Sequence, residues 1–305
     1  MRPEISDLIV DFDPESLQRR PVRQADVVGR FLAAGNHTAA RIVRGIPSVG
    51  GVLDNDAVDA ILVQAHTELQ RLHEEFQHGR RVLRLLVPLV RAARAAGHRG
   101  PLRVVDLGCG LGFVVRWLAA RGGLPADVEL VGCDYNRALV ERAQQLADAE
   151  SLRCRFVVGN ALTLAEPAHI ILSTGVIHHF QGDALVDFFA AQARAGLWAA
   201  VHYDITPNWA APLGAWLFHR ARMRMPLARH DGLLSALRAH DDAVLLAAAR
   251  MGGPGRSALL FECPSPWMPM LRVLRPVLSL RADLEGPLRA ELGELASELR
   301  VGGGG

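Results

Sequence analysis

Between residues 54 and 97 the apolar positions return every three or four residues, the period of a helix with one buried face. Val58, Ile61, Leu62, Ala65, Leu69, Leu72 and Phe76 define the first such face, and Asp54 or Asn55 stands where an N-cap belongs. A second helix is predicted over 80–97, where Arg80, Arg81, Arg84, Arg91 and Arg94 surround Leu and Val. Pro88 should kink it, and a helix directly ahead of a strand is expected to pack on the sheet rather than lie on a membrane. Residues 1–51 read as a mixed, largely helical lead-in, with apolar patches at Val27, Val28, Phe31 and Leu32 and at Ile42 and Val43.

From Leu102 the pattern changes. Short aliphatic and β-branched runs at 102–107, 128–134, 152–158, 169–175 and 197–204 alternate with helical stretches from Leu111, over 135–149 and over 181–195. This alternation predicts an α/β protein with a doubly wound, mostly parallel sheet. A helical, aromatic-rich insertion is expected over about 207–226 and a further helix over 229–251. Two closing strands follow at 258–262 and 270–274, then a last amphipathic helix over 282–300 and a flexible glycine tail at 302–305.

The first strand ends in Asp106 and runs into Gly108-Cys109-Gly110-Leu111-Gly112, after which helical spacing begins. Glycine lets the backbone turn sharply and approach a ligand, and the first N–H groups of the following helix face it. Dinucleotide binding would require Gly-x-Gly-x-x-Gly, but position 113 is Phe; the spacing present is Asp-x-Gly-x-Gly-x-Gly. The next strand, Val128-Glu129-Leu130-Val131-Gly132-Cys133-Asp134, ends in an acid 22 residues after Gly112. A carboxylate there can accept both hydroxyls of a ribose.

The two halves together resemble motif I and the acidic strand end of the class I S-adenosylmethionine (SAM) methyltransferases, over roughly 102–274. The segment Leu172-Ser173-Thr174-Gly175-Val176-Ile177-His178-His179-Phe180 is similar to the small-molecule branch of that superfamily. The resemblance implies a Rossmann-like, seven-stranded sheet. It divides the chain into an N-terminal helical extension over 1–98, a cofactor domain over 99–280 carrying the insertion, and a C-terminal helix and tail over 281–305. It implies S-adenosyl-L-methionine as cofactor, held by Asp106, Gly108, Cys109, Gly110, Gly112, Asp134, Tyr135, Asn160, Ala161 and Ser173. The glycines would carry the methionine end, Asp106 would act through a water or the amino group, and Asp134 would hold the ribose. The main-chain carbonyl near Ser173 would face the methionine ammonium. The position after Gly159 is often Asp in the family; here it is Asn160, whose amide oxygen can still accept from adenine. The Asn-Pro-Pro-Tyr and Asp-Pro-Pro-Tyr motifs of DNA methyltransferases do not occur, and Cys263-Pro264 falls too late to be a fourth-strand nucleophile.

Methyl transfer asks mainly for alignment, but a hydroxyl acceptor gains from a base. All 34 basic residues are Arg, so no lysine can serve. His178 and His179 follow the fourth strand at the carboxyl edge of the sheet, where open α/β sheets bind ligands, and are the candidate catalytic residues. Asp204, Trp209, Trp216 and His230 are expected in the substrate wall, with Phe218, His219, Met223 and Met225 lining or packing the insertion. Asp231 is expected as a helix cap. His73 and His78 lie five residues apart, about 140° round a helix, so they are read as a solvated face and not a metal pair; no metal is expected.

Hydrophobic residues make up 50% of the chain and charged ones 22%, enough for a sizeable core. A formal charge of +2 speaks against nucleic acid as partner. Cys109, Cys133, Cys154 and Cys263 form no Cys-x-x-Cys pair, which favours reduced thiols in the cytoplasm. No basic-then-apolar leader and no 18-residue uncharged run occur, so neither a signal peptide nor a membrane partner is expected. The expectation is a cytoplasmic SAM-dependent methyltransferase acting on a small apolar or aromatic molecule, at oxygen ahead of nitrogen or carbon. The alternatives are a SAM-binding sensor or scaffold without catalysis, and an RNA methyltransferase. A NAD-dependent oxidoreductase ranks last because of Phe113.

Overall fold

The computed structural model describes residues 3–164, 167–262 and 274–301. A turn-rich segment leads into α1 (Gln24–Ala33) and α2 (His37–Arg44), followed by a small hairpin of β1 (Ser48–Val49) and β2 (Val52–Leu53). Then come α3 (Asn55–Glu75) and α4 (His78–Ala95). The Asp54 carboxylate caps α3, accepting the Ala57 N–H at 2.8 Å. Gln77, at φ 53, turns the chain in the left-handed region and starts α4. His73 and His78 therefore lie on different helices and stack at 4.5 Å between ring centroids. This corrects the expected solvated face: His78 is buried. α4 packs on the sheet through Val82, Leu85, Leu86, Leu89 and Val90, all at most 2% exposed.

The alternation from Leu102 onward gives β3 (Leu102–Leu107), α5 (Phe113–Arg121), β4 (Val128–Asp134), α6 (Arg137–Ala149), β5 (Arg155–Val158), β6 (Ala168–Thr174), α7 (Asp183–Ala195) and β7 (Gly196–Ile205). The insertion forms α8 (Ala211–Arg222), and α9 (Pro226–Leu237) and α10 (Asp242–Gly252) follow. The single helix expected over 229–251 is thus two. They break where Arg238 turns toward the N-terminal segment and the ring of His240 reaches the Phe180 carbonyl at 2.8 Å. The chain closes with β8 (Arg256–Phe261), β9 (Leu274–Arg281), α11 (Glu285–Leu292) and β10 (Leu299–Val301).

The central sheet has the order β10-β8-β9-β7-β6-β3-β4-β5. The five strands from β7 to β5 are parallel; β9, β8 and β10 add on antiparallel. Among the described residues the sheet has eight strands against the expected seven. The predicted helix over 282–300 is interrupted by Gly293 at φ 56, and its end becomes β10 on β8. The strand expected at 270–274 lies outside the described residues except for Leu274, which opens β9. One core layer joins the sheet to α4, α5, α6 and α11, and another joins it to α7 and α10. The N-terminal helices form a third cluster that includes Leu111, Leu139, Met223 and Met225. No helix among the described residues is long and apolar enough to cross a membrane.

Candidate active site

β3 ends at Asp106 and Leu107, and the following turn carries Gly108, Gly110 and Gly112, all at positive φ. All three are compelled by space: a Cβ on Gly108 would fall 2.7 Å from the Val176 side chain. A Cβ on Gly110 would fall 2.5 Å from His66 Nδ1, and one on Gly112 would fall 2.2 Å from the Phe156 ring. The adjacent strand β4 brings Asp134 alongside. Its carboxylate accepts the Gly110 N–H at 2.9 Å and the Asn136 N–H at 2.9 Å. Burial raises the Asp134 pKa and lowers that of His66 across from it. Asp106 is 2% exposed, and its Oδ1 is buried with no hydrogen-bond partner among the described residues. Burial, then repulsion from Asp134, raises its pKa to about 7.

At the carboxyl end of β6, a short 3-10 turn presents His178 and His179. Asp204, near the end of β7, accepts His178 Nδ1 at 2.9 Å and the His178 backbone N–H at 3.0 Å. The ring is thereby held as the tautomer with its proton on Nδ1, leaving Nε2 as the open nitrogen. Burial works against the Asp204 carboxylate, but His178 and the N–H groups of Ile205 and His178 outweigh it and keep its pKa below the ordinary range.

The N-terminal segment, built of turns, reaches this end of the sheet. Glu4 lies 3.7 Å from His178 Nε2, and Asp7 accepts His179 Nδ1 at 2.8 Å. Arg238 joins them, 3.3 Å from Glu4 and 2.7 Å from Asp7. One ligand atom each of Glu4, His178 and His179 lies within 4.8 Å of the others, and the Arg238 guanidinium supplies a positive charge beside them. Burial lifts the Glu4 pKa to about 7. Burial opposes the Asp7 charge too, yet His179 and Arg238 prevail and hold its pKa below the carboxylate range. Farther along the segment, Phe12 packs edge-on against Tyr135 at 5.1 Å, and Asn160 donates to the Pro14 carbonyl at 3.0 Å.

The sequence-predicted residues fall into three groups. Asp106, Gly108, Cys109, Gly110, Gly112, Asp134 and Tyr135 surround the glycine turn, with Asn160 and Ala161 after β5. The Asn160 amide oxygen already accepts the Leu162 N–H at 2.9 Å, and Ala161 is tied through its carbonyl to Gln192. Ser173 Oγ pairs with buried His202 Nδ1 at 2.9 Å, so its side chain serves the sheet interior. Asp204 stands with His178. Trp209 is 92% exposed and does not line the groove of about 1070 Å³ between α2, α8 and α9 that Trp216 and His230 line. Asp231 is not a cap: it sits inside α9 and accepts the Ile5 and Ser6 N–H groups at 2.8 and 2.9 Å, anchoring the N-terminal segment. His66, Glu4, Asp7 and Arg238 were not singled out by the sequence. His66 could have been, since it follows Leu62 by four and precedes Leu69 by three on an apolar helix face.

A family model described as a methyltransferase domain matches residues 104–195, the stretch from β3 through α7 that carries the glycine turn, Asp134, His178 and His179. The chain carries a SAM-dependent methyltransferase domain. No curated protein matches the sequence. Among solved structures, magnesium protoporphyrin IX methyltransferase from Synechocystis PCC 6803 with bound S-adenosylhomocysteine (SAH) is 16% identical. It aligns over 85% of this chain and 99% of its own, at a TM-score of 0.45. The plantazolicin methyltransferase BpumL in complex with SAH is 12% identical over 74% and 96%, at 0.48. A TehB-like methyltransferase from Corynebacterium glutamicum is 19% identical over 63% and 86%, at 0.40.

The residues of this methyltransferase fit SAM. The partnerless Asp106 Oδ1 is an acceptor suited to an ammonium group. The Asp134 carboxylate accepts the N–H groups of Gly110 and Asn136, with that of Tyr135 beside them, and keeps acceptor capacity toward a ribose hydroxyl. The glycine turn leads into the N-terminus of α5, whose first N–H groups can face an anionic or polar ligand.

Proposed function

We propose that this methyltransferase acts on the oxygen of a small apolar or aromatic molecule, with His178 as the base. When bound, SAM supplies an electrophilic sulfonium methyl group. The single observation that carries the proposal is the clamp of His178 by Asp204, which fixes the ring and leaves Nε2 facing the Glu4 carboxyl. A proton collected there meets the carboxylate of Glu4 at 3.7 Å. His179 is paired with Asp7 and is half-buried, so it serves as a second, weaker candidate. The groove lined by Phe31, Ile42, Trp216, Leu233 and Leu237 is apolar in keeping with such an acceptor, although neither His178 nor Asp106 nor Asp134 is among its lining residues. In this reading residues 1–98 act as the acceptor-side cap of the domain. The three described cysteines are free thiols, in keeping with a reducing cytoplasm.

The test is His178→Asn with labelled SAM and a panel of phenols. Turnover should fall about 10²- to 10⁴-fold while SAM affinity holds, and raising the pH should restore part of it as the acceptor ionises unaided. An unchanged rate removes His178 as base; lost SAM binding or a lowered melting point makes it structural.

A further inference from the structure

The outer face of α8 is apolar and uncovered. Leu213, Trp216 and Leu217 are 57%, 48% and 54% exposed, and Trp209 just ahead of the helix is 92% exposed. Leu213, Trp216, Leu217 and Arg220 follow at helical spacing and share that face. The opposite face carries the packing: His219 is buried, and Phe218 meets Phe76 at 5.4 Å. Soluble surfaces rarely gather so many large apolar side chains on one short helix.

The charges beside this face have one sign. The groove that Trp216 and Arg220 border is lined by Arg41, Arg220, Arg229 and His230 and by no carboxylate among the described residues. Arg41 and Arg220 are exposed and form no ion pair among the described residues, while Arg229 is spent on the carbonyls of Met223 and Arg220. A second copy docking through this face about a two-fold axis would set arginine against arginine. An anionic lipid surface satisfies both features: headgroup phosphates meet the arginines, and the tryptophans and leucines enter the boundary of the acyl region.

We infer that the methyltransferase docks through α8 onto anionic membrane surfaces, lying on the lipid without crossing it. The groove opens beside the docked face, so an acceptor dissolved in the lipid could enter it directly; this last step rests on the apolar-acceptor reading above. Such docking goes beyond the sequence expectation of no membrane partner.

The experiment is co-sedimentation of the full chain with vesicles of phosphatidylglycerol and phosphatidylcholine, against phosphatidylcholine alone. Binding should be confined to the anionic vesicles, fall with salt, and weaken roughly tenfold or more in Leu213→Glu/Leu217→Glu. Arg41→Gln/Arg220→Gln should weaken it as well. SAM calorimetry on the leucine pair reports whether the fold and the cofactor site are intact, independently of any acceptor. The inference is overturned if the wild-type chain binds neither vesicle, or if the leucine pair binds as well as wild type. It is equally overturned if size-exclusion shows a dimer that the leucine pair dissolves, which would give the face to a second copy.

Discussion

One carboxylate, that of Asp204, receives both the backbone N–H of His178 at 3.0 Å and its ring Nδ1 at 2.9 Å. The residue near the end of β7 thus fixes both the turn after β6 and the orientation of the imidazole it carries. Asp204→Asn removes the anion while keeping the size of the side chain. The rate of methyl transfer should fall roughly 10²-fold or more, with SAM affinity unchanged, because the ring loses its tautomer control. Stability should drop by about 1–3 kcal/mol as buried donors lose their acceptor. A variant with wild-type turnover would show that the pair is structural only.

Asp134→Ala should weaken SAM binding roughly 30- to 150-fold, equivalent to about 2–3 kcal/mol for lost charge-assisted bonds. The structure adds a second consequence, since the same carboxylate holds the N–H groups of Gly110 and Asn136. The melting temperature of the ligand-free protein should fall too. Calorimetry showing less than a threefold change would place the ribose elsewhere.

Asp106 should make SAM binding pH-dependent. With its pKa raised to about 7, the carboxyl is largely protonated at pH 6 and ionised at pH 8. An ammonium group is held by the ionised form, so affinity should be about tenfold higher at pH 8 than at pH 6. Asp106→Asn should bind weakly and without that pH dependence. A flat profile for the wild-type protein would mean that the ammonium is met by another acceptor.

The parallel strands and the glycine turn were legible because each leaves a local mark. Aliphatic runs announce β3, β4 and β6, and glycine is forced at 110 and 112 by His66 and Phe156 pressing on the backbone. The cap at Asp54 was legible for the same reason. What escaped is non-local. Glu4 and His178 are separated by 174 residues, and nothing near either announces the other. Asp231 looked like a cap because polar residues cluster there, yet its partners are Ile5 and Ser6. The break between α3 and α4 depends on one left-handed residue, Gln77, which no glycine or proline betrays. β10 spans three residues, too few for a periodic signal.

Glu4 supplies the last prediction. Burial raises its pKa from 4.5 to about 7, so the folded protein holds a proton that the unfolded chain releases above pH 4.5. Folding stability from this group is therefore highest below pH 4.5, declines as pH rises to about 7, and is level beyond, with a total loss of up to about 3 kcal/mol. Glu4→Gln removes the titration while retaining an oxygen for the Ser235 hydroxyl, now 3.0 Å from Glu4. Urea unfolding should find wild type and variant alike near pH 4.5 and the variant more stable at pH 8. The comparison is made between the two proteins because Asp106 contributes a slope of the same sign to both. Parallel curves for the two across that range would show that Arg238, 3.3 Å away, offsets the buried charge in full.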